Sequence, residues 1–199
     1  MATKRMAHAV RRNVALVVWL SGMLVNVTAT AEELSALFNQ QGYRLPPYRT
    51  PVTAPLPGVT ALDDGAFNEL VASPPVILVD VYMLTWHDGM FLQDRPHLTI
   101  PGSTWLPNVG SPALADEWID YFSDALDALR EQTPAAPLVF FCRADCWLAW
   151  NAARRAQALG YEEVYWYANG VDGWQAGGGA LAAVCPQLPA HAEWETCGP

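Results

Sequence analysis

Two short runs of this chain are apolar along almost their whole length instead of alternating. Val76–Met83 reads Val-Ile-Leu-Val-Asp-Val-Tyr-Met, and Pro137–Cys142 reads Pro-Leu-Val-Phe-Phe-Cys. A strand with one wet face alternates apolar and polar residues with a period of two. A run without alternation has no wet face and belongs in a sheet covered on both sides, the usual condition of a parallel sheet. Parallel neighbours need long crossovers, and the intervening stretches supply them. Asp63 or Asp64 is placed to cap a helix running to about Val71, with Phe67, Leu70 and Val71 inward. After Pro112, the residues Leu114, Trp118, Tyr121, Phe122, Leu126 and Leu129 recur at helical spacing until Pro134 and Pro137 end the pattern. A further helix is predicted over Trp147–Leu159, stopped by Gly160. Strands are predicted at Val59–Leu62 and Val164–Tyr167, and His97–Pro107 is an extended piece broken by Pro101-Gly102. Gly170–Gly179 reads as a glycine-rich turn region around Trp174. Strand and helix alternate throughout, which predicts an α/β domain with a central, mostly parallel sheet and helices on both faces.

The ends of the chain are of another kind. Met1–Arg12 carries Lys4, Arg5, Arg11 and Arg12, Val14–Val25 is apolar, and Ala29-Thr30-Ala31 has the small-x-small form of a cleavage site. Residues 1–31 are therefore expected to be a signal peptide removed before Glu32. An uncleaved anchor is the alternative, and either way the protein works outside the cytosol. Four of the 11 basic residues lie in that segment. The remaining seven, all Arg, face 20 acidic residues, a net charge of −13. Such a chain has no basic footprint for nucleic acid. It has no second apolar stretch of about 18 residues to span a membrane once the signal is gone. With 52% hydrophobic residues and nine Trp it is not a disordered chain. Residues 32–58 form an extended arm, because the paired prolines of Leu45-Pro46-Pro47-Tyr48-Arg49-Thr50-Pro51 resist helix; it is expected to wrap the domain surface. The folded domain is placed at 59–178 and a tail at 179–199.

The chemistry is concentrated in Phe141-Cys142-Arg143-Ala144-Asp145-Cys146-Trp147. A buried strand ends at Cys142 and a helix begins a few residues later. In open α/β sheets ligands bind at the carboxyl ends of strands. There the loop N–H groups and the free N–H groups of the helix's first turn are expected to converge on one point, which lowers the pKa of a thiol held in it. Cys142 and Cys146, four residues apart, are near enough in chain to form a disulfide.

In order, Leu78-Val-Asp80-Val, His97…Ile100-Pro101-Gly102-Ser103, Phe141-Cys142-Arg143, Leu159-Gly160-Tyr161 and Gly170-Val-Asp-Gly173-Trp174 resemble the rhodanese domain, over roughly Val59–Gly178. The resemblance implies a strand-end cysteine that carries a persulfide in an anion-binding loop, a role that falls on Cys142. It departs from the family's Cys-Arg-x-Gly-x-Arg loop. Asp145 stands at the Gly, Trp147 at the closing Arg, and Tyr82 replaces the Arg that follows the Asp80 strand. Without the closing Arg, and with Asp145 adding negative charge, efficient thiosulfate sulfurtransfer is not expected. The chain is also similar to a narrower group of exported proteins with a Cys-x-x-x-Cys-Trp motif, associated with periplasmic alcohol oxidation by PQQ-dependent dehydrogenases. The matching pieces are Gly42–Pro51, Thr99–Pro107 and Cys142–Ala152. This likeness implies a periplasmic location and a periplasmic protein partner. It does not imply PQQ as a ligand, and no cofactor is expected.

Three functions follow for the pair. In the first, Cys142 is the nucleophile, Cys146 the resolving thiol and Trp147 a lid, in thiol–disulfide or sulfur-relay chemistry with a partner; Arg143 and Asp145 shape the loop, and Asp80 and His87 stand on the same rim. In the second, the domain binds copper, with Met83, Met90, His87 and His97 as further ligand candidates, or docks a partner without catalysis. In the third, both cysteine pairs are structural. Cys185 and Cys197 are expected to form a structural disulfide tying down the tail, worth about 2–4 kcal/mol; the alternative makes one of them a resolving partner for Cys142.

Overall fold

A computed structural model describes residues 36–51, 59–193 and Cys197. The expected signal peptide, its cleavage site and residues 32–35 and 52–58 of the arm lie outside the described residues. The elements are β1 (Thr60–Leu62), α1 (Asp64–Val71), β2 (Ile77–Asp80), β3 (Thr85–His87), β4 (Met90–Leu92), β5 (His97–Thr99), β6 (Thr104–Trp105), α2 (Asp116–Gln132), β7 (Leu138–Phe141), α3 (Trp147–Ala158), β8 (Val164–Tyr167), α4 (Gly170–Ala176) and β9 (Ala182–Val184). No helix among the described residues is long and apolar enough to cross a membrane.

Five strands form the central sheet in the order β1-β8-β7-β2-β6, and every pairing in it is parallel. The two unalternating runs supply β7, the central strand, and β2 beside it, and all eight residues of these two strands are buried. Ile77, Val79, Leu138 and Phe140 face one core together with Phe122 and Leu126 of α2 and Ala149, Ala152 and Ala153 of α3. Leu78, Val139 and Phe141 face the other with Phe67 of α1 and Val171 of α4. Helices therefore cover both faces. Asp63 caps α1 by accepting a hydrogen bond from the Ala66 N–H at 2.8 Å.

The differences from the sequence expectations have local causes. The first run is a strand only as far as Asp80, because the carboxylate accepts the Tyr82 N–H at 2.8 Å and turns the chain out of the ladder; Tyr82 and Met83 are exposed. The segment expected as a turn after Gly170 is instead the short helix α4. The tail, placed outside the core, contributes β9, which pairs antiparallel with β5. Gln187 N–H donates to the Trp105 carbonyl at 2.9 Å, and the buried Tyr121 hydroxyl donates to the Gln187 carbonyl at 2.8 Å.

Candidate functional site

Because the sheet is parallel, the segments that follow Asp80, Phe141 and Tyr167 all emerge at one edge, and Asp80 and Phe141 are in register. The Cys142–Cys146 loop leaves that edge. Its two cysteines form a disulfide with Cα atoms 5.9 Å apart. Each is 3% exposed, and both belong to the core shared by α2 and α3. Cys185 and Cys197 form the second disulfide, as expected, in the tail.

The loop was expected to leave its N–H groups open to an anion, and three of them have partners within the chain. Ala144 N–H donates to Asp172 Oδ2 at 2.8 Å, Asp145 N–H to the Ala168 carbonyl at 3.2 Å, and Trp147 N–H to the Tyr48 carbonyl at 2.8 Å. Asp172 also takes Arg143, with Nε at 3.0 Å and an Nη at 2.8 Å from Oδ1. Burial alone would raise the Asp172 carboxyl, but hydrogen bonds from Arg143 and Ala144 outweigh it and hold the group below the usual carboxylate range. The same hydrogen bond raises Arg143. A carboxylate of the chain thus gathers the Ala144 N–H and the Arg143 guanidinium at this loop. Asp145 has φ +56, the left-handed region that Asp tolerates better than most residues. The Cys142 carbonyl accepts the Val171 N–H at 3.0 Å, and Gly170 lies so close to it that an added Cβ would collide with that carbonyl.

Trp147, expected as a lid, is buried in the same core as the two cysteines. It is 6% exposed, packs against Trp150 and Trp166, and donates Nε1–H to the Thr50 carbonyl at 2.9 Å. What covers the loop is the arm. Thr50 N–H donates to the Asp145 carbonyl at 3.2 Å, which makes Arg49 and Cys146 an antiparallel bridge. Upstream, Arg44 is buried; its N–H donates to Asn151 Oδ1 at 2.7 Å and its carbonyl accepts from Asn151 Nδ2 at 3.0 Å. Arg44 also lies over the Trp147 ring. Sequence reasoning missed Asp172, Asn151 and Arg44. Asp172 lay inside the quoted Gly170-Val-Asp-Gly173 motif, but nothing local marked the other two as partners.

The two rim residues are placed apart from the sulfurs. Asp80 shares Phe141's side of the sheet, whereas Cys142 belongs to the core on the opposite side. Asp80 is 1% exposed and receives His97 Nε2 at 2.7 Å and Thr99 Oγ1 at 2.6 Å, so it ties β5 to the sheet and takes none of the cysteine loop's N–H groups. His97 sits between the rings of Tyr82 and Trp105 in a cleft of about 340 Å³ that Met83 also lines. His87 is on the β3–β4 hairpin, 67% exposed, 3.0 Å from Asp88. The copper candidates are accordingly divided: Met83 and His97 line the cleft, while His87 and Met90 face each other across the hairpin. Among the described residues no three His, Cys, Asp or Glu side chains are grouped to hold a metal.

Compared with known proteins, residues 65–177 match the family model described as Rhodanese-like domain. No curated protein matches the chain.

Proposed function

The chain belongs to the rhodanese-like domain family, a fold capable of thiol chemistry at its strand-end cysteine, and from that premise we propose that it is a thiol–disulfide protein whose reactive unit is the Cys142–Cys146 pair. The observation that carries this is the disulfide itself, set in the loop at the carboxyl edge of the sheet. Sulfur relay through a persulfide needs a free Cys142 and an open anion cradle; here Cys142 is bonded to its neighbour, and Asp172 takes the Ala144 N–H and the Arg143 guanidinium. A dithiol–disulfide cycle needs neither. Both sulfurs are required for it, and Arg143 with Asp172 holds the loop that carries them.

The setting is part of the same proposal. The basic-apolar-small order of residues 1–31 supports export to the periplasm. Likeness of Gly42–Pro51, Thr99–Pro107 and Cys142–Ala152 to the Cys-x-x-x-Cys-Trp group supports service to PQQ-dependent alcohol oxidation, with the dithiol acting on a periplasmic protein partner. The test is redox titration of the folded protein in glutathione buffers, reading the Cys142–Cys146 pair by alkylation and mass and the fold by near-UV circular dichroism. Reversible conversion with the fold retained is expected. If the pair opens only when the protein unfolds, the function is wrong and the disulfide is structural. Thiocyanate formation from thiosulfate is expected to be weak or absent; turnover abolished by Cys142→Ser would restore the sulfurtransferase.

A further inference from the structure

The disulfide is in the right loop for exchange and yet buried, and the chain segment that covers it shows how a partner would reach it. We propose that the Asp145–Trp147 edge is a docking edge for an extended, cysteine-bearing segment of a dithiol partner. In the resting protein Tyr48–Thr50 occupy that edge, and the partner's cysteine replaces Arg49 and exchanges with Cys146. This rests on the thiol–disulfide function proposed above and adds to it the route, the recognition mode and the order of the sulfurs.

Three observations converge. The first is burial: both cysteines are 3% exposed, and the arm is hydrogen-bonded on either side of Cys146. The second is the nature of the seat. Its three hydrogen bonds, Trp147 N–H to Tyr48 O, Thr50 N–H to Asp145 O and Trp147 Nε1–H to Thr50 O, all use backbone atoms of the arm. Any extended segment with an N–H at the place of Thr50 can supply the same atoms, which is how strand addition recognises peptides. The cost of lifting the strap is small at its middle residue. Arg49 is 61% exposed and holds only a 4.0 Å ion pair with Asp172, while the Arg44–Asn151 pair keeps the upstream arm in place for reclosure. The third is register. The hydrogen bonds flank Arg49 and Cys146, so these two form a non-hydrogen-bonded antiparallel pair, the kind whose side chains share a face and approach most closely. A cysteine at the place of Arg49 is therefore presented to Cys146, not to Cys142.

The exchange then balances as follows. The partner thiolate attacks Cys146 Sγ, the Cys142–Cys146 bond breaks, and Cys142 leaves as a thiolate and takes up a proton. The partner's second thiolate attacks its own sulfur in the mixed disulfide and releases Cys146, which is protonated in turn. The partner leaves as a disulfide and two electrons stay on the pair, which has thereby oxidised the partner; run in reverse, the reduced pair reduces a partner disulfide.

Two variants of the full mature chain test this. Arg49→Cys places the thiol without any partner: disulfide mapping is expected to find it bonded to Cys146 with Cys142 free, in a substantial fraction of molecules. An introduced thiol that stays free, or that bonds Cys142, overturns the register. Thr50→Pro removes one strap hydrogen bond. Reduction of Cys142–Cys146 by dithiothreitol is expected to accelerate at least tenfold, while the Cys185–Cys197 pair, which no described hydrogen bond joins to the arm, keeps its wild-type rate and serves as the internal reference. Reversible reduction at an unchanged rate overturns the strap and leaves the redox function standing. Reduction only on global unfolding, in wild type and variant alike, overturns the function itself. Should Thr50→Pro fail to fold, the Arg49→Cys mapping decides alone.

Discussion

Asp172 does inside the loop what a bound anion does in an open cradle: it collects the Ala144 N–H and the Arg143 guanidinium. Its folded pKa is depressed, so its contribution to stability is present above the unfolded carboxyl value of about 3.9 and is lost as the pH falls through the lower folded value. Asp172→Asn keeps an acceptor and loses the charge. It is expected to cost about 1 kcal/mol at pH 7, discounted for the partial exposure of both partners, and the gap from wild type should close in urea melts as the pH falls through the depressed folded value. Asp145 makes the matching backbone point. Its φ of +56 explains the Gly at this place in the family loop. Asp145→Gly should be nearly neutral, relief of the left-handed backbone offsetting the entropy gained by the unfolded chain; Asp145→Val should cost about 1–2 kcal/mol by chemical denaturation. The residues themselves were legible, since Cys142, Arg143, Asp145 and Cys146 all fall in the loop as expected. Their partners were not, because Tyr48, Ala168 and Asp172 come from elsewhere in the chain and carry no local sign of where they will meet the loop.

Among the elements, those with a strong one-dimensional signal form as expected. The unalternating runs became two of the three inner strands, and the recurrence of Trp118, Phe122 and Leu126 became α2. The failures are short. β9 is Ala-Ala-Val, half open to solvent, and exists because β5 offers it a ladder rather than through any pattern of its own. α4 begins at a glycine with φ +52 and runs for seven residues, so its glycines read as a turn until Val171 is seen donating to Cys142. That contact makes α4 a brace for the loop. Gly170→Ala would strain the left-handed backbone and drive a methyl into the Cys142 carbonyl, so it should cost about 2–3 kcal/mol in thermal unfolding and also loosen the loop. The second effect is readable as faster reduction of Cys142–Cys146.

At the scale of the molecule, two segments outside the α/β core close over it from opposite ends of the chain. The arm lies on α3 and the loop; the tail lies on β5, on the Trp105 carbonyl and beside Gly89. Each reaches a different disulfide, one buried and one with Cys185 exposed. The tail's tether should therefore be removable without touching the loop. Cys185→Ser with Cys197→Ser opens a short loop in the unfolded chain and frees residues whose pairing holds β5, which in turn carries His97 and Thr99 to Asp80. The expected loss is about 2–4 kcal/mol in denaturant melts, chiefly through the unfolded state. Because no described hydrogen bond links arm and tail, the two effects should add, and the midpoint potential of Cys142–Cys146 should stay within measurement error of wild type. A potential that moves with the tail variant would mean that β5 and the loop are coupled through Asp80 and its register with Phe141, and that the exposed disulfide tunes the buried one.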